Sequence, residues 1–183
     1  MTALADRVVA IHRAFTTSRL PHAFGGALAL AYYAEPRATI DIDVNVFLPV
    51  DRYRRVAAVL SKLGVAMPDE DAATRDEQVR AWWDTTPVDL FFSYDPIHEA
   101  MRADTRRVPF GATTIPILAP EHLLVAKAVF DRPKDWIDIE QMLIAVDDFD
   151  ADEATRWLAH LVGDADPRAR RVGELIAGLR GRD

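Results

Sequence analysis

Cysteine is absent from this 183-residue chain. That excludes disulfides and Cys-based zinc or redox sites, and it fits a reducing compartment. Long apolar runs are also absent. The opening "MTALADRVVAIHRAF" is broken by Asp6, Arg7, His12 and Arg13, so it offers neither a signal-peptide core nor a membrane span. A soluble cytoplasmic protein without membrane contact is expected. Positive charge is short, with 22 Lys and Arg against 29 Asp and Glu and a net charge of -7. That balance disfavours non-specific binding to nucleic acid, where Lys and Arg supply most of the affinity. The Arg52/Arg54/Arg55, Arg102/Arg106/Arg107 and Arg168/Arg170/Arg171 clusters read as solvated helix faces. The five histidines lack metal spacing, and there is no Ser-His-Asp signature and no Gly-x-x-x-x-Gly-Lys loop. Trp82, Trp83, Trp136 and Trp157 read as core residues.

What is present is an apolar content of 50%, enough for a real core without staples. Leu4, Val8, Ile11 and Phe15 form one helical stripe. A short strand, "HAF", precedes the pair Gly25-Gly26. The all-apolar "ALALAYYA" then reads as a buried helix ended by Pro36. Asp51 is expected to cap a helix stopped by Gly64. "QVRAWWD" and "PVDLFF" read as strands around a turn at Asp84–Pro87. A short helix near 96–103 and a hairpin turning at Gly111 follow, with Pro109 and Pro116 limiting the hairpin to edge or irregular strands. From Pro120 the pattern is helical, with Asp150 and Asp166 as caps of the last two helices.

Residues 39–47, "TIDIDVNVF", alternate. Ile40, Ile42, Val44 and Val46 take one face; Asp41, Asp43, Asn45 and Phe47 take the other. Two neighbouring carboxylates are costly to bury without compensation. A divalent cation such as Mg²⁺ compensates them, commonly with substrate phosphates completing its shell, and two such ions can clamp a phosphoryl displacement. A wet edge strand is the plainer reading of Asp-x-Asp alone. Gly25 and Gly26 tip the balance, because they stand where a strand meets a helix and let backbone N–H groups approach phosphate. Arg37 and Thr39 lie just before the acids; either fits a phosphate, or Arg37 pairs with Asp41 or Asp43. Asp89, between Val88 and Leu90 and facing opposite to both, is a third acid if its strand adjoins that of Asp41, with Asp84 and Asp95 as rivals.

The segment "GGALALAYYAEPRATIDID" resembles the nucleotidyltransferase superfamily with a polymerase-β-like core, and within it the AbiEii-type branch that includes MenT-type toxins. Gly25, Gly26, Arg37, Thr39, Asp41 and Asp43 match that branch's pattern of a glycine pair, an apolar helix and Arg-x-[Ser/Thr]-x-Asp-x-Asp. Gly26 stands where the wider superfamily has serine. A second stretch, "HLLVAKAVFDRPKDWIDIEQML", is similar to the branch's later signature at Lys127, Arg132, Lys134, Asp135 and Asp138. Helical spacing places Lys134 and Asp138 on one face, which without the first motif reads as an ion pair on a wet helix.

The resemblance implies an α+β fold: a small mixed sheet with flanking helices over residues 1–118, then a helical half, residues 119–183, closing the nucleotide site. It implies the toxin of a bacterial toxin–antitoxin pair. Such an enzyme transfers NMP from an NTP to the 3′ end of tRNA, blocking aminoacylation and so translation, and meets a cognate antitoxin. Asp41 and Asp43 would hold Mg²⁺ or Mn²⁺, and Asp89 would complete the site or act as base. Gly25, Gly26, Arg37, Thr39, Arg132 and Lys134 would bind nucleotide; Lys127 would offset triphosphate charge and Asp138 would orient a lysine or the acceptor. The alternatives are a different acceptor, such as an aminoglycoside or a protein side chain, and a silent binding module.

Overall fold

The computed structural model describes residues 3–70 and 77–180. The chain forms two compact units, residues 1–28 with 38–118 and residues 29–37 with 119–183.

The first unit is built on a six-stranded mixed sheet in the order β3-β4-β2-β1-β6-β5. Its strands are β1 (His22–Phe24), β2 (Ile42–Val46), β3 (Gln78–Trp83), β4 (Thr86–Phe92), β5 (Arg106–Phe110) and β6 (Thr113–Ile117). β2 runs parallel to β4 and antiparallel to β1, and β3–β4 and β5–β6 are hairpins. Alternation decides the faces. Ile42, Val44 and Val46 of β2, Val88, Leu90 and Phe92 of β4, and Val79 and Ala81 of β3 are all buried. Each large apolar side chain so buried contributes about 1.5–3 kcal/mol. Helix α1 (Leu4–Thr17) buries Val8, Ile11 and Phe15 and packs against α3 (Tyr53–Ser61) and β6. Helices α2 (Gly26–Leu30) and α4 (Ile97–Ala103) are short.

Two histidines lock α1 to β1. His12 Nδ1 lies 3.0 Å from His22 Nε2, and His22 Nδ1 donates to the Leu20 carbonyl at 2.8 Å. Burial is the main force lowering His22, to about 4, aided by His12 and Arg107 and opposed by the Leu20 hydrogen bond.

Several sequence expectations need correcting. The strand begins at Ile42 and not at residue 39, and Ile40 is 74% exposed. The apolar helix stops at Leu30, well before Pro36. The chain then tightens through N–H groups of Tyr32 and Tyr33 donating to Ala29 and Leu30. Asp51 lies in a 3₁₀ turn, Val50–Arg52, and makes no side-chain cap for α3. The β3–β4 turn is Asp84–Thr85 only, with Asp84 left-handed at φ 52° and Arg7 donating to its Oδ2 at 2.7 Å. Of the four tryptophans only Trp136 is buried; Trp82 is 46% exposed.

The second unit is helical: α5 (Pro120–Phe130), α6 (Pro133–Ala145), α7 (Ala151–Val162) and α8 (Pro167–Arg180). Pro120 and Pro133 each open a helix, where a missing N–H costs nothing. Helix α5 touches the other three, which is why it is buried on most sides and mainly apolar, with Glu121, His122 and Lys127 as its buried polar residues. Asp150 Oδ1 accepts from Glu153 N at 2.9 Å and Asp166 Oδ1 from Arg168 N at 2.8 Å, so both serve at helix starts as expected. No helix among the described residues is long and apolar enough to cross a membrane.

Candidate active site

Parallel pairing of β2 with β4 places Asp43 directly beside Asp89, with Asp41 two residues earlier. Residues facing one another across a ladder project to the same side of the sheet. The carboxylates of Asp41, Asp43 and Asp89 each offer an oxygen within 4.8 Å of the others. Asp89 is 2% exposed, while Asp41 and Asp43 are partly buried. The rivals stand elsewhere: Asp84 binds Arg7, and Asp95 Oδ1 accepts from Ile97 N at 2.9 Å. The Thr39 hydroxyl donates to Asp41 Oδ1.

Sequence reading omits one member of this cluster. Arg80, opposite Asp89 in the β3–β4 hairpin, grips both its oxygens, Nε to Oδ1 at 2.8 Å and Nη2 to Oδ2 at 2.7 Å. Those hydrogen bonds, then the charge of Asp89, and then Asp41 and Asp43, push the Arg80 guanidinium above its usual range against a smaller effect of burial. The hairpin carried the signal: with a two-residue turn at Asp84–Thr85, Trp83 faces Thr86 and Arg80 must face Asp89.

The glycine pair is fixed by this arrangement. Gly25 N donates to the Asp43 carbonyl at 3.0 Å. Gly26 has φ +55°, and a Cβ there would sit 1.7 Å from Asp43 Oδ2. A Cβ on Gly25 would lie 2.9 Å from Asn45 Nδ2. The Asp43 carboxylate thus occupies space that any side chain at 26 would fill. The serine of the wider superfamily has no room here with Asp43 so placed. Three carboxylates without a nitrogen or sulfur donor suit a hard divalent cation such as Mg²⁺ or Mn²⁺.

Within the second unit, Lys127 and Asp138 are both buried, with Nζ 2.6 Å from Oδ2. Arg37 donates to the same carboxylate, Nε to Oδ1 at 3.1 Å and Nη2 to Oδ2 at 3.1 Å. Burial drives the Asp138 carboxyl upward, but hydrogen bonds and charge from Arg37 and Lys127 outweigh it and hold it below its ordinary value. Asp135, fully buried at the start of α6, accepts from Arg132 Nε at 2.6 Å and Nη2 at 3.1 Å and lies 3.8 Å from Lys127 Nζ. Arg37 therefore bonds to Asp138, and not to the strand aspartates that sequence offered it. Lys134 is exposed, while Asp138 takes Arg37 and Lys127 as its cations in place of an i,i+4 partner.

A mixed sheet with flanking helices, and a glycine turn beside adjacent acids, is the fold of nucleotidyltransferases. Solved structures share that fold. The solution structure of the antibiotic-resistance factor ANT(2'')-Ia aligns at TM-score 0.59 and 19% identity, covering 97% of this chain and 91% of that one. The lincosamide antibiotic adenylyltransferase LnuA, lincomycin-bound, aligns at 0.51 and 13%, covering 70% and 89%. An antigenic nucleotidyltransferase-like protein from Paracoccidioides brasiliensis aligns at 0.54 and 12%, covering 98% and 89%. At such identities the likeness is one of fold. No curated protein matches the sequence. The family described as nucleotidyl transferase AbiEii toxin, type IV TA system, matches residues 10–178, and the chain belongs to it. It is a nucleotidyltransferase, an enzyme that acts on an NTP and an acceptor.

Proposed function

We propose that this enzyme is the toxin of a toxin–antitoxin pair, that it works in the cytoplasm, and that it transfers NMP to the 3′ end of tRNA with a divalent cation, Mg²⁺ or Mn²⁺. The observation that carries the metal reading is the convergence of Asp41, Asp43 and Asp89 beside Gly25-Gly26. Family membership supports the toxin role and its antitoxin partner. The tRNA acceptor rests on the resemblance to the toxin branch.

In the reaction, the acceptor hydroxyl oxygen bonds to the α-phosphorus. The bond from that phosphorus to the bridging oxygen breaks, pyrophosphate leaves, and the hydroxyl proton passes to the carboxylate cluster. A bound cation supplies Lewis-acid stabilisation of the phosphoryl oxygens. Asp41 and Asp43 hold it, with Thr39 orienting Asp41; Asp89 is the third ligand. Gly25 and Gly26 keep side chains away from the phosphates. In the second unit, Asp138 orients Lys127, and with Lys134 and Arg132 that lysine supplies positive charge for the triphosphate. Asp138, held by Arg37 and Lys127, is too engaged to serve as a free base.

The test incubates the protein with each labelled NTP, Mg²⁺ or Mn²⁺ and total RNA, and resolves the products on a gel. Label in the tRNA band, lost in Asp41→Asn, is the expected result. The ANT(2'')-Ia relative was solved with adenylyl-2''-tobramycin, so tobramycin enters as a rival acceptor. Labelled tobramycin without labelled RNA would move the acceptor to aminoglycosides. No labelled product with either acceptor would leave a protein side chain as the acceptor, or the silent-module reading.

A further inference from the structure

Three carboxylates lie within 4.8 Å of one another, and one of them is almost fully buried. Burying a charged group without a nearby positive charge is costly. Arg80 supplies one. Its fork meets Asp89 in the planar bidentate geometry that makes guanidinium–carboxylate pairs strong. Both Asp89 oxygens are engaged, so a divalent ion that ligates Asp89 must take an oxygen from Arg80 or accept a cation beside it.

Mobility is distributed unequally across this pair. The Asp89 side chain is 4% exposed and fixed in a central strand, whereas the Arg80 side chain is 54% exposed on β3, the outermost strand of the sheet. Arg80 can leave for water; Asp89 cannot. Charge gives the same direction. The three aspartates carry three negative charges and Arg80 returns one. A divalent ion brings two more positive charges, so ion and guanidinium repel when both contact Asp89.

We propose that Arg80 is a tethered counter-ion that competes with the divalent cation for Asp89 and moves to the triphosphate when nucleotide arrives. The inference rests on the metal reading given above. A released guanidinium is a natural phosphate binder. Exchange of its partner couples the two ligands: nucleotide draws Arg80 away, Asp89 opens, and the cation binds more tightly. Without nucleotide, Arg80 offsets one of the three negative charges and occupies both Asp89 oxygens, which keeps the affinity for metal low. Arg80 is thus a positioning residue that sets when the cation site is complete.

The experiment measures Mn²⁺ binding by the loss of free-ion signal in electron paramagnetic resonance, with and without a non-hydrolysable NTP analogue. The proteins are wild type, Arg80→Gln, Arg80→Ala, Arg80→Lys and Asp41→Asn. Thermal unfolding by circular dichroism confirms that each is folded. Without nucleotide, Arg80→Gln should bind Mn²⁺ roughly tenfold more tightly than wild type, the portion of a close like-charge repulsion that survives solvent screening. Arg80→Ala should behave alike, and it serves if the glutamine variant misfolds. Arg80→Lys, which keeps the charge, should stay near wild type. The analogue should tighten Mn²⁺ binding in wild type and much less in Arg80→Gln. Equal or weaker Mn²⁺ affinity in the neutral variants would overturn the competition, leaving Arg80 as a fixed support for Asp89. Failure of the metal reading looks different: Asp41→Asn would then match wild type, or no protein would bind Mn²⁺.

Discussion

Removing Asp138 tests whether the second unit is organised around a buried ion pair. In Asp138→Ala, Lys127 keeps its place at 4% exposure but loses a partner 2.6 Å away, and Arg37, 32% exposed, loses its own. Breaking a buried pair from one side typically costs about 3–5 kcal/mol, because a buried charge is left uncompensated. Two features reduce that here. Asp135 remains 3.8 Å from Lys127, and Arg37 can turn to water. A loss of about 2–4 kcal/mol is expected, which lowers Tm by roughly 5–15 °C in a chain of this size. The control is Glu99→Ala, which opens the Arg102–Glu99 pair, where the side chains are 52% and 75% exposed; it should cost below about 1 kcal/mol. A double variant, Lys127→Met with Asp138→Leu, removes both buried charges and should regain most of the loss. The assay is urea unfolding at pH 7 followed by circular dichroism and tryptophan fluorescence. The pH matters because the Asp138 carboxyl is depressed. Its contribution is full above the ordinary carboxylate value near 4 and is lost as pH falls through the lower folded value. The reasoning is refuted if Asp138→Ala costs no more than Glu99→Ala.

Gly26→Ala should cost about 1–2 kcal/mol from its left-handed backbone alone. Because the new Cβ meets Asp43 Oδ2, it should also cut nucleotidyl transfer far more than it cuts stability, and a variant of wild-type rate would mean that Asp43 moves aside freely. Stability should fall between pH 6.5 and about 4 as His22, lowered to about 4 in the fold, takes up protons more readily in the unfolded chain. His22→Gln should flatten that part of a Tm-against-pH curve, and an unchanged curve would remove the His12–His22 lock from the explanation. Expression of the wild-type chain in bacteria without a partner should slow growth, and Asp43→Ala should relieve it; equal toxicity would point away from catalysis.

Local pattern made much of the site legible. Period-two alternation put Asp41 and Asp43 on one face of a strand and Asp89 on the polar side of another, and all three do come together. The glycine pair stood out because a strand-to-helix junction of that kind needs little else. Long-range geometry was harder. Arg80 enters only through the hairpin register, and reading the turn as running to Pro87 hid it, although Thr86 and Pro87 are strand residues. The apolar "ALALAYYA" gave no length for its helix, since residues apolar on every side carry no periodicity to lose. Arg37 ended beside Asp138, an ion pair that spans 101 positions of sequence and that no spacing rule anticipates.

The sheet ends in β3 on one side and β5 on the other, and open strands are templates on which a second copy can add itself. Both margins discourage this. β5 carries Arg106, Arg107 and Pro109, and proline offers no N–H to a newcomer. On β3, Ala66 already occupies both backbone groups of Trp82, and Arg80 holds a charge over the remaining stretch. An accumulating protein faces the hazard of fibrous self-association, and the half-exposed guanidinium that pairs with Asp89 also puts a charge on the border strand where such growth would begin.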